Sequence, residues 1–115
     1  MKYALLIYGN EAGRAASTPD QLKGVREAYD KYGAWLAEKG WMRGGEELHP
    51  TQQATTVRAP GGTPITTDGP FAETKEQLGG FFIIETADLD QAIEAAAACP
   101  GTKYGSVEIR PIADM

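Results

Sequence analysis

The sequence predicts an α+β fold, a four-stranded antiparallel sheet carrying two helices in a ferredoxin-like βαββαβ order with a β-hairpin insertion. Three observations predict it. Residues 3–8 and 80–86 are short apolar runs bounded by turn residues, as strands are. Segments opening at Thr18 and Asp88 repeat apolar side chains at spacings of three and four, as helices do. Ala59-Pro60-Gly61-Gly62 separates two Thr-rich runs and marks a hairpin turn.

Each element follows from local chemistry. Tyr3, Leu5 and Ile7 alternate with Ala4, Leu6 and Tyr8, so the first strand is apolar on both faces, like a central strand. Residues 9–17 read as a polar loop. Thr18-Pro19-Asp20-Gln21 is a helix start: Thr18 caps, Pro19 suits the first turn and Gln21 completes a capping box. Leu22, Val25, Tyr29, Tyr32 and Leu36 then build one stripe, with Tyr29, Tyr32 and Trp35 read as helix core. Lys39-Gly40 stops the helix with a cation at its negative end and a residue that tolerates positive φ. Residues 41–48 hold a second strand, in which Gly44-Gly45 marks a bulge. Residues 54–58 and 63–67 flank the hairpin turn, and Pro64 places the second of them at an edge. Residues 80–86 are the next strand. Asp88 caps the second helix with Gln91 three positions on. Leu89, Ile93, Ala96 and Ala97 are its expected apolar side, and Cys99-Pro100-Gly101 ends it. Residues 106–110 alternate and close the sheet.

The 115 residues make a single domain, 1–115. A net charge of −5 with 11 scattered Lys and Arg argues against nucleic acid, which demands a basic patch. Nothing approaches the roughly 20 apolar residues of a membrane span. Cys99 is the only cysteine, so no internal disulfide forms, which fits a cytoplasmic protein. One histidine and one cysteine leave a structural zinc site implausible, and Ser17 and Ser106 lack a nearby base.

The strand at residues 80–86 sets a packing problem. Phe81 and Ile83 point one way, Phe82 and Ile84 the other. Two helices cover only one face. Leaving the second wet forfeits roughly 1.5–3 kcal/mol per large side chain. An isologous homodimer, sheet against sheet, resolves this.

Asp68-Gly69-Pro70-Phe71-Ala72-Glu73-Thr74-Lys75-Glu76 resembles the signature of the DGPF-domain proteins of the YCII-related family. The resemblance extends to Gly44-Gly45-Glu46, Leu78-Gly79-Gly80-Phe81 and Gly105-Ser106-Val107-Glu108-Ile109-Arg110-Pro111, and so to nearly the whole chain. It implies a dimeric α+β barrel and says little about activity. Some relatives look like enzymes with a His–Asp pair and no metal or organic cofactor; others look like companions of alternative sigma factors. Tyr104 stands where many relatives carry histidine.

Asp68, Lys75 and His49 are the catalytic candidates; Tyr8, Glu46, Phe71 and Glu73 are the ligand-binding ones. Asp68 has two readings. It is an acid–base carboxylate at a pocket mouth, or it accepts backbone N–H bonds from the Gly69-Pro70-Phe71 turn. Pro70 is expected to start a helical turn and Phe71 to anchor it in the core. Lys75 either holds an anionic ligand or pairs with Glu46 or Glu73. His49 either meets Asp68 across a folded-back hairpin or is an ordinary surface residue. Two functions stay open: cofactor-independent proton transfer or elimination on a small polar organic molecule, or a non-catalytic module. The latter would meet a basic regulator, such as a sigma factor, through Glu11, Glu27, Glu38, Asp88 and Glu94.

Overall fold

The computed structural model describes residues 1–114. The chain order is β1 (Lys2–Gly9), α1 (Glu11–Ala15), α2 (Pro19–Glu38), β2 (Met42–Glu47), β3 (Thr55–Arg58), β4 (Ile65–Asp68), β5 (Gln77–Glu85), α3 (Leu89–Ala98) and β6 (Gly105–Pro111), with single 3₁₀ turns at Thr51–Gln53 and Pro100–Lys103. The main sheet runs β2-β5-β1-β6, every pair antiparallel, and β3-β4 is a separate two-stranded ribbon. This is the α+β, ferredoxin-like order with its inserted hairpin. The loop expected at residues 9–17 instead holds α1. Asn10 caps it through the Gly13 N–H, a local bond that the polar composition concealed.

The caps form as the side chains dictate. Thr18 Oγ1 accepts from the Gln21 N–H while Gln21 Oε1 accepts from the Thr18 N–H. Asp88 accepts from the Gln91 N–H at 2.9 Å. Gly40, at φ 76°, takes the left-handed turn after α2. The pairing of β2 with β5 shifts register between Met42 and Gly44, so the bulge lies where the glycines begin.

The core lies between one sheet face and the helices. Tyr3, Leu5 and Ile84 from the sheet meet Tyr32 and Leu36 from α2 and Ala92, Ala95 and Ala96 from α3. Tyr32 stands edge-on to Phe82 and donates its hydroxyl to the Ala95 carbonyl at 2.6 Å. Lys39 lies over the rings of Trp35 and Trp41. The second helix packs by a different side from the one expected. Leu89 and Ile93 are half exposed, at 50% and 49%, and Ala97 is exposed, while Ala92, Ala95 and Ala96 are buried. Small side chains let α3 lie close on the sheet, and that closeness outweighs the larger residues' greater transfer energy.

The pairing register sorts the second face. Phe81 lies opposite Leu6, Ile83 opposite Ala4 and Leu78 opposite Tyr8, and all six are half-buried. Glu46 and Glu108 complete the Phe81 row across the sheet, and Arg110 joins the Ala4 row. The molecule measures 46 × 43 × 19 Å. A thickness of 19 Å accommodates one sheet and one helix layer. Its radius of gyration, 16.0 Å, exceeds the about 13 Å of a compact chain this long.

Candidate functional site

Three segments converge where β1 leaves the sheet and β5 enters it. The Glu11 N–H donates to Gln77 Oε1 at 3.0 Å, and Gln77 Nε2 donates to the Thr74 carbonyl. The Glu11 carboxylate accepts from both the N–H and the hydroxyl of Thr51, at 2.8 Å each. Arg14 pairs with Glu47 across the same end. Each bond is to a neutral group or an exposed ion, so single contributions are modest. Together they fix α1, the loop after β2 and the segment before β5 relative to one another.

Between these segments lies a cleft of about 290 Å³, lined by Thr51, Gln52, Pro70, Ala72, Glu73, Thr74 and Gln77. Glu73 is the one ionisable side chain in that lining. The rest offer hydroxyls, amides and two small apolar surfaces. The wall is held from both sides: Thr74 Oγ1 donates to the Glu76 carbonyl, and Ser106 Oγ on β6 donates to the Glu76 carboxylate at 3.1 Å. This arrangement suits a small polar molecule next to a single carboxylate.

The candidates from the sequence take up scattered positions. Asp68 ends β4, exposed, opposite Thr55. The Gly69 N–H, expected to serve its carboxylate, donates instead to the Ala54 carbonyl at 2.6 Å. Gly69 takes positive φ, 96°, and its own carbonyl accepts from Thr56 Oγ1. No helical turn begins at Pro70; residues 69–76 are bends and irregular chain. Phe71 is 77% exposed and anchors nothing in the core of its own chain. Arg58 instead binds the Phe71 carbonyl, so the backbone rather than the ring is held. Lys75 is exposed, and the ion pairs among the described residues are Arg14–Glu47, Arg43–Glu85 and Arg110–Glu108, so Lys75 locks neither Glu46 nor Glu73. His49 is exposed in the loop after β2. Glu46 lies on the bare sheet face, in the row of Phe81, and does not line the cleft. Tyr8 lies on that same face, half-buried beside Leu78. Of all these, only Glu73 reaches the cleft.

Thr51, Gln52, Thr74 and Gln77 escaped the sequence reading. Uncharged polar residues in loops carry no spacing signal, and their roles come from the convergence of distant segments. Glu11 counted there as part of an acidic surface, yet its carboxylate is taken by Thr51, and that of Asp88 by its own helix cap.

A second hollow, about 430 Å³, lies outside the sheet between α2 and the end of α3, beside Lys31, Tyr32, Trp35, Cys99 and Lys103. Cys99 is 1% exposed, and burial pushes its thiol up, so it stays protonated and unreactive near neutrality. Burial likewise raises the hydroxyls of Tyr29 and Tyr32. Among the described residues no helix is long and apolar enough to cross a membrane.

The fold and sequence have known counterparts. An uncharacterised protein of Rhizobium meliloti (strain 1021) is 39% identical over 117 residues, which covers 98% of this chain and 93% of the relative. The solved structure of 5-chloro-2-hydroxyhydroquinone dehydrochlorinase (TftG) from Burkholderia phenoliruptrix AC1100, in complex with 2,5-dihydroxybenzoquinone, superposes with a TM-score of 0.51 at 17% identity. It covers 100% of this chain and 96% of its own. At that identity the likeness is one of fold. The family model for the YCII-related domain matches residues 1–115. The chain belongs to the YCII-related family.

Proposed function

We propose that this protein is a homodimer that binds a small, hydroxylated organic molecule in the cleft beside Glu73 and catalyses a cofactor-independent elimination or proton transfer. The cleft carries the proposal: one carboxylate among hydroxyl and amide groups, at the junction of three segments fixed by hydrogen bonds. A carboxylate so placed accepts a proton from the substrate. The bond to the leaving group then breaks, and its electron pair departs with that group. For a chlorinated hydroquinone the net loss is one HCl, and no external oxidant is needed. The fold neighbour's dehydrochlorination of a chlorinated hydroxyhydroquinone makes such molecules the first substrates to try. Thr51, Gln52 and Thr74 would orient the ring hydroxyls.

The homodimer rests on the half-buried second face. Leu6, Phe81 and Ile83 form its apolar centre, Glu46 lies at the β2 edge and Arg110 at the β6 edge. Arg110 already pairs with Glu108 on its own strand, so the apolar centre rather than charge is what a two-fold rotation would stack against its copy.

The test is chloride release from chlorinated hydroxyhydroquinones by the unmodified protein and by Glu73→Gln. Turnover reduced about 10²–10⁴-fold in the variant supports Glu73 as the base. Turnover retained in Glu73→Gln but lost in Asp68→Asn moves the base to the arm. Absence of turnover across the panel, with saturable capture of a sigma factor, establishes the regulatory reading in its place.

A further inference from the structure

The β3-β4 ribbon has no core of its own. From Thr51 to Glu76 no residue is buried, and β3 and β4 pair with each other and with no strand of the main sheet. Val57, Ile65 and Phe71 are 59%, 55% and 77% exposed. Val57 lies opposite Thr66 and Ile65 opposite Arg58, so the ribbon presents an apolar side chain on each of its faces. A lone two-stranded hairpin is marginal in water. Three large apolar side chains on such a ribbon call for a surface to lie on.

The dimension of the sheet indicates which surface. Four strands about 4.8 Å apart and about eight residues long at 3.3 Å each give a bare face of about 500 Å². A stable pair of subunits buries about 800 Å² on each side. As a flat footprint this puts stacked sheets at the small end of such interfaces, where added area counts. The ribbon precedes β5 and pairs with no strand of the main sheet, and the molecule is flat, 46 × 43 × 19 Å.

We propose that the β3-β4 ribbon with Phe71 is an intersubunit clasp: in the homodimer each copy lays this arm against the other copy and adds contact area to that of the stacked sheets. The proposal rests on the dimer of the preceding section. It adds that the cleft wall at Pro70–Glu73 is set by the partner, because the clasp and the wall are one continuous segment. Phe71 sits between the ribbon and Glu73, so docking its ring fixes the carboxylate's position.

Dimer dissociation constants from sedimentation velocity test this on the full chain. Three variants serve: Phe71→Asp, an arm in which residues 58–65 are replaced by Asn-Gly, and Leu6→Glu on the bare face. Phe71 is exposed in its own protomer, so its replacement leaves the single copy folded. A clasp predicts that Phe71→Asp and the shortened arm each weaken the dimer about tenfold or more, and that Leu6→Glu yields monomers. Loss of the dimer in Leu6→Glu with unchanged dissociation in both arm variants overturns the clasp and leaves the stacked sheets standing. A monomeric parent overturns both. Amide exchange gives an independent reading if a variant fails to fold. Ribbon amides of the parent protein gain protection as concentration crosses the dissociation constant; protection that ignores concentration overturns the clasp.

Discussion

The body of the molecule and its arm are built on opposite principles. In the body, Leu5, Leu36 and Ile84 are 0% exposed and every helix start is capped by its own side chains. In the arm and the segment after it, residues 54–76, nothing is buried, and the side-chain hydrogen bonds stay within the segment or its next neighbour except the one from Ser106 to the Glu76 carboxylate. The comparison teaches where stability and chemistry reside. The body holds the fold by burial within one copy. The arm brings polar groups and one carboxylate to a cleft, and its apolar side chains Val57, Ile65 and Phe71 stay exposed. Cores tolerate little change, whereas exposed loops accept function readily.

A set of substitutions and a change of pH sharpen that contrast, beginning with the largest effect. Leu36→Ala, in the body, is expected to lower stability in urea by about 2–5 kcal/mol, through lost transfer energy and the cavity left behind. Val57→Ala, in the arm, is expected to stay within about 0.5 kcal/mol when measured on the monomer. Similar losses at both positions would erase the distinction. Gly105→Ala comes next. A Cβ there runs into the Tyr8 carbonyl where β6 meets β1, and a strand pair must shift to admit it. Overpacking of this kind costs about 1–3 kcal/mol, read as a lower urea midpoint with unchanged slope.

Alkaline pH separates the regions without mutation. Cys99 ordinarily ionises near 9.0 and Tyr29 and Tyr32 near 10.0, and burial raises all three in the folded body. The folded state therefore holds these protons more tightly than the unfolded state. Stability is complete below the unfolded values and falls as pH rises through 9.0 and then 10.0. The urea midpoint should drop across that window, and Tyr32→Phe should flatten the drop. Within the body the smallest effect belongs to Thr18→Ala, which removes one half of the capping box on α2 and costs about 1 kcal/mol.

The body was legible in the sequence and the site was not. Strand order, both long-helix starts, the bulge at Gly44 and the opposed faces of Phe81 and Phe82 all follow from rules acting over a few residues. The misreadings share a cause. Phe71 looks like an anchor because large apolar residues are usually buried, and Leu89 and Ile93 look like a core face for the same reason. Alanines pack α3 instead, and Phe71 remains at the surface of its own chain. Asp68 before Gly and Pro has the composition of a turn cap, yet the Gly69 N–H is claimed across the hairpin by Ala54. The cleft arises from residues as far apart as Thr51 and Gln77, a distance in sequence that no local pattern spans.

The central claim is that one copy leaves a sheet face for another to cover. Sedimentation velocity of the unmodified chain at low micromolar concentration addresses it most directly. A single boundary at twice the protomer mass, converted to the protomer mass by Leu6→Glu, is the predicted result; a boundary at the protomer mass for the parent chain would contradict it.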